Sequence, residues 1–157
     1  MTLSPELSYS LAMCGGYAAV ALAAVGSAVG AGIAGQAAIA AWKRCYAQNK
    51  PAPFLLVALA GTPLSQTIYG MILMMLIKNN IADALAKNAG IYPIFYMTLG
   101  VFAGVGLMLS SIYQGKAAAA GCDAFGETNK GFTNYLTIAG IVETVALFVL
   151  VFGIMVL

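Results

Sequence analysis

The chain has 157 residues, one domain's length, yet 62% of it is hydrophobic and only 8% is charged, against about 25% charged in an ordinary soluble domain. Seven Lys or Arg against five Asp or Glu leave a net charge of +2, which is too little basic material for a nucleic-acid surface. There is no His, and Cys14, Cys45 and Cys122 are scattered, so neither a zinc spacing nor a disulfide framework is present. The composition is that of an all-α membrane protein.

No charge occurs between Glu6 and Lys43. A first helix is predicted over about 11–45, and at about 1.5 Å per residue it would reach roughly 50 Å, beyond the bilayer core. The segment KRCYAQNKPAP follows, with Pro51 and Pro53 expected in the first turn of the second helix. That span is charge-free from Pro51 to Ile77, and residues 79–92 are expected to join it to the third, charge-free from Asn88 to Gly115. CDAFGETNKG is expected to turn the chain into the fourth, which runs from about Gly131 to Leu157 with Glu143 as its only charge. Four transmembrane helices put both termini on one side. With its acidic Glu6 and no basic leader, the N-terminus does not read as a secretory signal.

The first and third loops hold Lys43, Arg44, Lys50 and Lys130, with Lys116 just inside, whereas the second holds Lys78 and Lys87. By the positive-inside rule, loops 1 and 3 are expected in the cytoplasm and both termini outside a cell membrane. AGQAAIAAW precedes LSQTIYG much as YQGKAAAAG precedes IVETVALF. The expected organisation is therefore one membrane domain, 1–157, formed by a duplicated helical hairpin, the copies lying at about 11–78 and 91–157. Gln66 and Glu143 occupy matching positions. The copies have the same orientation, unlike the inverted repeats of many secondary transporters.

Glu143 lies twelve residues from Gly131 and fourteen from Leu157, near the bilayer midplane. A charge there costs about 2.5–3.5 kcal/mol on insertion scales, so the carboxyl must be protonated, paired or bound to a cation. A protonated carboxyl serving only as a bond between helices is the plainer alternative. Lys116 is the one basic residue at comparable depth, and its amino group is expected to extend to the nearer interface. On the second helix Thr62, Ser65, Gln66 and Tyr69 share a face. The plain role for that stripe is interhelical hydrogen bonding, worth about 0.6 kcal/mol per contact in membranes. Pro63 frees a carbonyl one turn back. Gln114, eleven residues before Phe125, is expected at the height of Glu143.

Ser65, Gln66, Gln114 and the Thr62 carbonyl can thus surround the Glu143 carboxylate with neutral oxygens, the surroundings a hard cation seeks. A proton needs only one acceptor, so the set suggests Na⁺ ahead of H⁺, with Tyr69 donating its hydroxyl to Glu143. GSAVGAGIAG and GVFAGVG carry Gly at four-residue spacing, either for packing within one chain or for an inner ring of first and third helices from many copies, surrounded by second and fourth helices.

These features resemble the proteolipid, or K, subunit of V-type rotary ATPases, particularly the bacterial Na⁺-translocating form. The motifs are PLSQTIYG, QGKAAAAG and VETVALF within the duplicated hairpin. The resemblance implies that Glu143 carries the ion, that Ser65, Gln66, Gln114 and the Thr62 carbonyl complete an Na⁺ site, and that Tyr69 supports Glu143. Ser65 stands where that pattern has Thr. It further implies a homo-oligomeric rotor ring in lipid, a central-stalk subunit at the cytoplasmic loops, and a stator subunit with a basic residue. The chain would be a non-catalytic subunit with no ATPase site of its own. An H⁺-carrying ring is the alternative within the class. The rivals outside it are a small four-helix multidrug or cation antiporter, whose acid resembles others of its kind in lying on the first helix, and a structural membrane oligomer.

Overall fold

The computed structural model describes residues 4–157. Four helices follow one another: α1 (Pro5–Ala47), α2 (Leu56–Ala86), α3 (Pro93–Thr128) and α4 (Phe132–Val156), each long and apolar enough to cross a membrane. The protein is a multi-pass, all-helical membrane protein. Local chemistry explains the start of α1, where the Ser4 hydroxyl accepts from the Leu7 N–H, Pro5 opens the first turn and Glu6 sits in it.

The helices are longer than expected and the connections shorter. α1 has 43 residues, about 65 Å at the usual rise. Pro51 and Pro53 precede α2 instead of opening it; the Trp42 indole donates to the Pro53 carbonyl at 2.8 Å, holding this stretch against α1. α2 runs through 79–86 because no Gly or Pro interrupts that stretch, and Ile77 and Ile81, one turn apart, are both fully buried. Only 87–92 joins it to α3. α3 continues through CDAFGET, with Cys122 and Phe125 buried and Asp123 paired with Arg44 of α1, so the chain turns over 129–131 alone. In each connection an Asn adopts positive φ just past the helix: Asn49, Asn88 and Asn129. Asn tolerates the left-handed conformation that closes a helix better than other side chains apart from Gly.

Packing follows the small residues. A Cβ on Gly100 would fall on the backbone of Gly15, and one on Gly115 would fall on that of Gly30. Both pairs are 85 positions apart, so α1 and α3 run parallel in register and touch backbone to backbone. Gly30 and Gly104 therefore face helices of their own chain; the small faces read as inner-ring contacts are used, at these positions, inside one subunit. Gly32 and Gly35 have open space around them. Larger side chains of α2 and α4 cover the α1–α3 pair, with Leu73, Ile77 and Leu150 buried. Ile141, Val145, Phe148 and Phe152 of α4 stay more than half exposed at four- and three-residue spacing, a continuous apolar face suited to lipid.

Candidate functional site

Glu143 is the twelfth of the 25 residues in α4. Ala139 and Ala146, four before it and three after, are fully buried, so the helix turns Glu143 toward the bundle, where it is half-buried. One carboxylate oxygen, Oε1, accepts from the Tyr69 hydroxyl of α2 at 2.6 Å. The other, Oε2, accepts from Gln114 Nε2 of α3 at 3.2 Å. The same nitrogen donates to the Ala139 carbonyl at 3.1 Å, and Gln114 Oε1 accepts from Gln66 Nε2 at 2.6 Å. Gln66 Oε1 in turn accepts from the Ser65 hydroxyl at 3.2 Å.

An unbroken chain of donors thus runs Ser65, Gln66, Gln114, Glu143. Gln66 and Gln114 are fully buried, where an unpaired amide would cost several kcal/mol; both are paired. Ser65 also lies 3.2 Å from the Thr62 carbonyl. These residues, expected to converge, do share one site. The amide of Gln114 departs from expectation, since its nitrogen and not its oxygen faces the carboxylate. The Ala139 carbonyl explains that choice, because an oxygen there would meet another acceptor.

The backbone around Pro63 is adapted as well. The chain tightens into a 3₁₀ turn over Thr62–Leu64. Pro63 leaves the Leu59 carbonyl without its usual helical donor, and Thr62 takes that role with its backbone N–H and with its hydroxyl at 2.9 Å. Thr62 therefore offers the site its carbonyl, while its hydroxyl is occupied.

The Lys116 Nζ lies over the ring of Tyr113, one turn earlier on α3, 4.8 Å from the centroid. Among the described residues the only ion pair is Arg44–Asp123, far along the helices from Glu143. No cluster of three His, Cys, Asp or Glu side chains occurs among the described residues. Glu143 consequently brings a single formal charge to a set of neutral partners, and one monovalent cation or proton would neutralise it.

Four groups at or near this site escaped the sequence reading. Ser110 donates to the Val142 carbonyl at 3.1 Å, and Ser111 donates to the Pro63 carbonyl at 2.7 Å. Thr67 donates to Ser27 Oγ at 2.8 Å, and the Ser27 and Ser111 hydroxyls lie 3.4 Å apart. The available signal was the placing of Ser110 and Ser111 one turn before Gln114.

A carboxylate at the middle of an apolar helix is thus held by neutral side chains from two neighbouring helices. Residues 97–156, which include all of α4 and most of α3, match the family model for the C subunit of ATP synthase. No curated protein matches the chain. The match takes in Gln114 and Glu143 but not α2, and together with the four apolar helices it supports a rotary-ATPase proteolipid.

Proposed function

We propose that the chain is the rotor-ring proteolipid of a V-type ATPase and carries Na⁺ on Glu143. The observation that carries this reading is the unbroken path of neutral polar groups, from Ser65 through Gln66 and Gln114, ending on the one carboxylate at mid-membrane depth. A proton requires one acceptor, whereas Na⁺ requires several oxygens in place of its hydration shell. The Thr62 carbonyl, the Ser65 hydroxyl and the two amides are the groups that would supply them. A half turn of the Gln114 amide about its last torsion would exchange nitrogen for oxygen toward the ion, at the cost of its present bonds to the Ala139 carbonyl and the Gln66 amide. Tyr69 would keep its hydrogen bond to Oε1 throughout and favour the ionised carboxylate.

Copies of the chain would assemble into a homo-oligomeric ring. With its ion bound, Glu143 is electrically neutral and tolerates lipid; emptied, it is a charge at the midplane and is held by a basic residue of a stator subunit until it reloads. Loops 1 and 3, the more basic ends, would face the cytoplasm and meet a central-stalk subunit. The first hairpin has Gln66 where the second has Glu143, so four helices carry one ion. Fewer ions per turn allow each to be driven against a larger potential, at about 2.3 kcal/mol per charge per 100 mV. That ratio suits a pump.

One observation fits an H⁺ ring as the second reading: the Tyr69 hydroxyl, 2.6 Å from Oε1, can accept as well as donate and so can pair with a protonated carboxyl. Carbodiimide labelling of Glu143 in the purified protein separates the two, because only the protonated carboxyl reacts. Under the Na⁺ reading, labelling falls as NaCl rises at constant pH and ionic strength. Labelling that follows pH and ignores Na⁺ rejects the Na⁺ reading in favour of the proton.

A further inference from the structure

Ser27 on α1, Thr67 on α2 and Ser111 on α3 meet where these three helices pack together, and none of them hydrogen-bonds to Glu143. Ser27 is 3% exposed and Ser111 is fully buried. Ser111 has one hydroxyl hydrogen, and the nearer acceptor is the Pro63 carbonyl at 2.7 Å against Ser27 at 3.4 Å. Ser27 accepts from Thr67 at 2.8 Å, which leaves its own hydrogen free to point at Ser111. The chain of donation therefore runs Thr67, Ser27, Ser111, Pro63 carbonyl. It begins one residue after Gln66 and ends inside the 3₁₀ turn Thr62–Leu64.

That turn needs external support. Pro63 has no N–H to give the preceding turn, so the backbone that presents the Thr62 carbonyl and Ser65 lacks one helical bond at its centre. The hydroxyl chain supplies a tie from α1 and α3 at that point. Adjacent on α3, Ser110 reaches the opposite way to the Val142 carbonyl, next to Glu143. α3 thereby fixes both halves of the site, α2 through Ser111 and α4 through Ser110.

We infer that the Thr67–Ser27–Ser111 hydroxyl chain is a positioning network that holds the Thr62–Ser65 oxygens at the spacing Na⁺ requires and so sets the affinity and size selectivity of the site. The inference rests on the Na⁺ reading above. Groups behind a metal's direct ligands orient those ligands, and losing one typically weakens binding by about ten- to a hundredfold. A flexible cage also discriminates ion size less well than a braced one.

The test is Na⁺ and Li⁺ protection of Glu143 from carbodiimide in the full-length protein, comparing wild type with Ser111→Ala, Thr67→Val and Thr67→Ser. Thr67→Val keeps the shape and removes the donor; Thr67→Ser keeps the donor. Ser111→Ala and Thr67→Val should raise the Na⁺ concentration for half-protection by about tenfold or more and bring the Li⁺ and Na⁺ values closer together. Labelling against pH without added Na⁺ should match wild type, and Thr67→Ser should restore wild-type protection. A merely structural defect would change the ion-free labelling and leave the Li⁺ to Na⁺ ratio alone. If Ser111→Ala does not yield folded protein, Thr67→Val and Thr67→Ser decide the matter. A protected wild type with a coincident Thr67→Val curve overturns the network while leaving the Na⁺ site standing. A wild-type curve that ignores Na⁺ removes the Na⁺ reading and this inference with it.

Discussion

Replacing Gly100 with Ala adds one methyl where the structure has no room for it. The new Cβ would meet the carbonyl and Cα of Gly15, which are backbone atoms and cannot rotate aside, so α1 and α3 must separate locally. The buried neighbours Ala12, Ala19 and Tyr96 belong to the same core cluster and would lose part of their dispersion contact as the gap opens. Overpacking of this kind costs about 1–3 kcal/mol. Gly15→Ala drives a methyl onto the Tyr96 and Met97 backbone and should cost a similar amount. Once one methyl has parted the helices, the second enters a gap already open. The double variant should therefore lose less than the sum, with a coupling of about 0.5–3 kcal/mol. Gly32→Ala on the same helix meets nothing within 4 Å in the single chain and should lie within about 0.5 kcal/mol of wild type for the isolated subunit. Reversible unfolding in mixed detergent micelles, followed through Trp42, the only tryptophan, measures all four proteins. Wild-type stability in Gly100→Ala, or strict additivity in the double variant, would refute the backbone-to-backbone contact.

Glu143→Gln preserves shape and hydrogen bonding but cannot alternate between charged and neutral forms, so the protein should assemble normally while ATP-driven ion uptake into vesicles disappears; uptake by the variant would remove Glu143 as carrier. Tyr69→Phe deletes the 2.6 Å bond to Oε1, and a bond to a charged group is worth about 1.5–3 kcal/mol. Half-protection by Na⁺ should therefore move up by roughly ten- to a hundredfold, and an unchanged curve would show that Tyr69 does not support the loaded form. Ser65→Thr retains the hydroxyl that reaches the Thr62 carbonyl and Gln66. Its transport should continue with at most about a threefold change in Na⁺ dependence, the worth of about 0.6 kcal/mol, and abolished transport would mean that the added methyl does not fit.

The helices and the centre of the site were legible in the sequence for a simple physical reason. Apolar runs of bilayer length bounded by charges leave little choice of fold, and one acid in the middle of such a run has to be met by something polar. Thr62, Ser65, Gln66 and Tyr69 were findable because helical spacing alone puts them on one face, and Gln114 because its distance from the helix end matches that of Glu143. Helix ends were less legible. Asn79, Asn80 and Asp83 look like loop residues by composition, but packing of Ile77 and Ile81 carries the helix through them, so tertiary burial outweighed local polarity.

What could not be read was any property set by rotation of one helix against another. Spacing places Gly30 and Gly104 on small faces but does not say whose helix they meet, and the in-register contact of α1 with α3 answers that. Spacing likewise brings Gln114 to the height of Glu143 without saying which amide atom faces it. That depends on the Ala139 carbonyl, an acceptor that every helix possesses at every turn and that sequence never marks. The same holds for Ser27, Thr67 and Ser111. Each alone is an ordinary small polar residue in a membrane helix, and only the close approach that Gly26 and Gly30 permit lets three hydroxyls from three helices line up on the Pro63 carbonyl. The glycines and the hydroxyls are thus parts of one arrangement: the absence of side chains at the first set brings the second set within bonding distance, and a methyl at Gly30 would act on the proposed ion site by pushing apart the Ser111 backbone and Pro63.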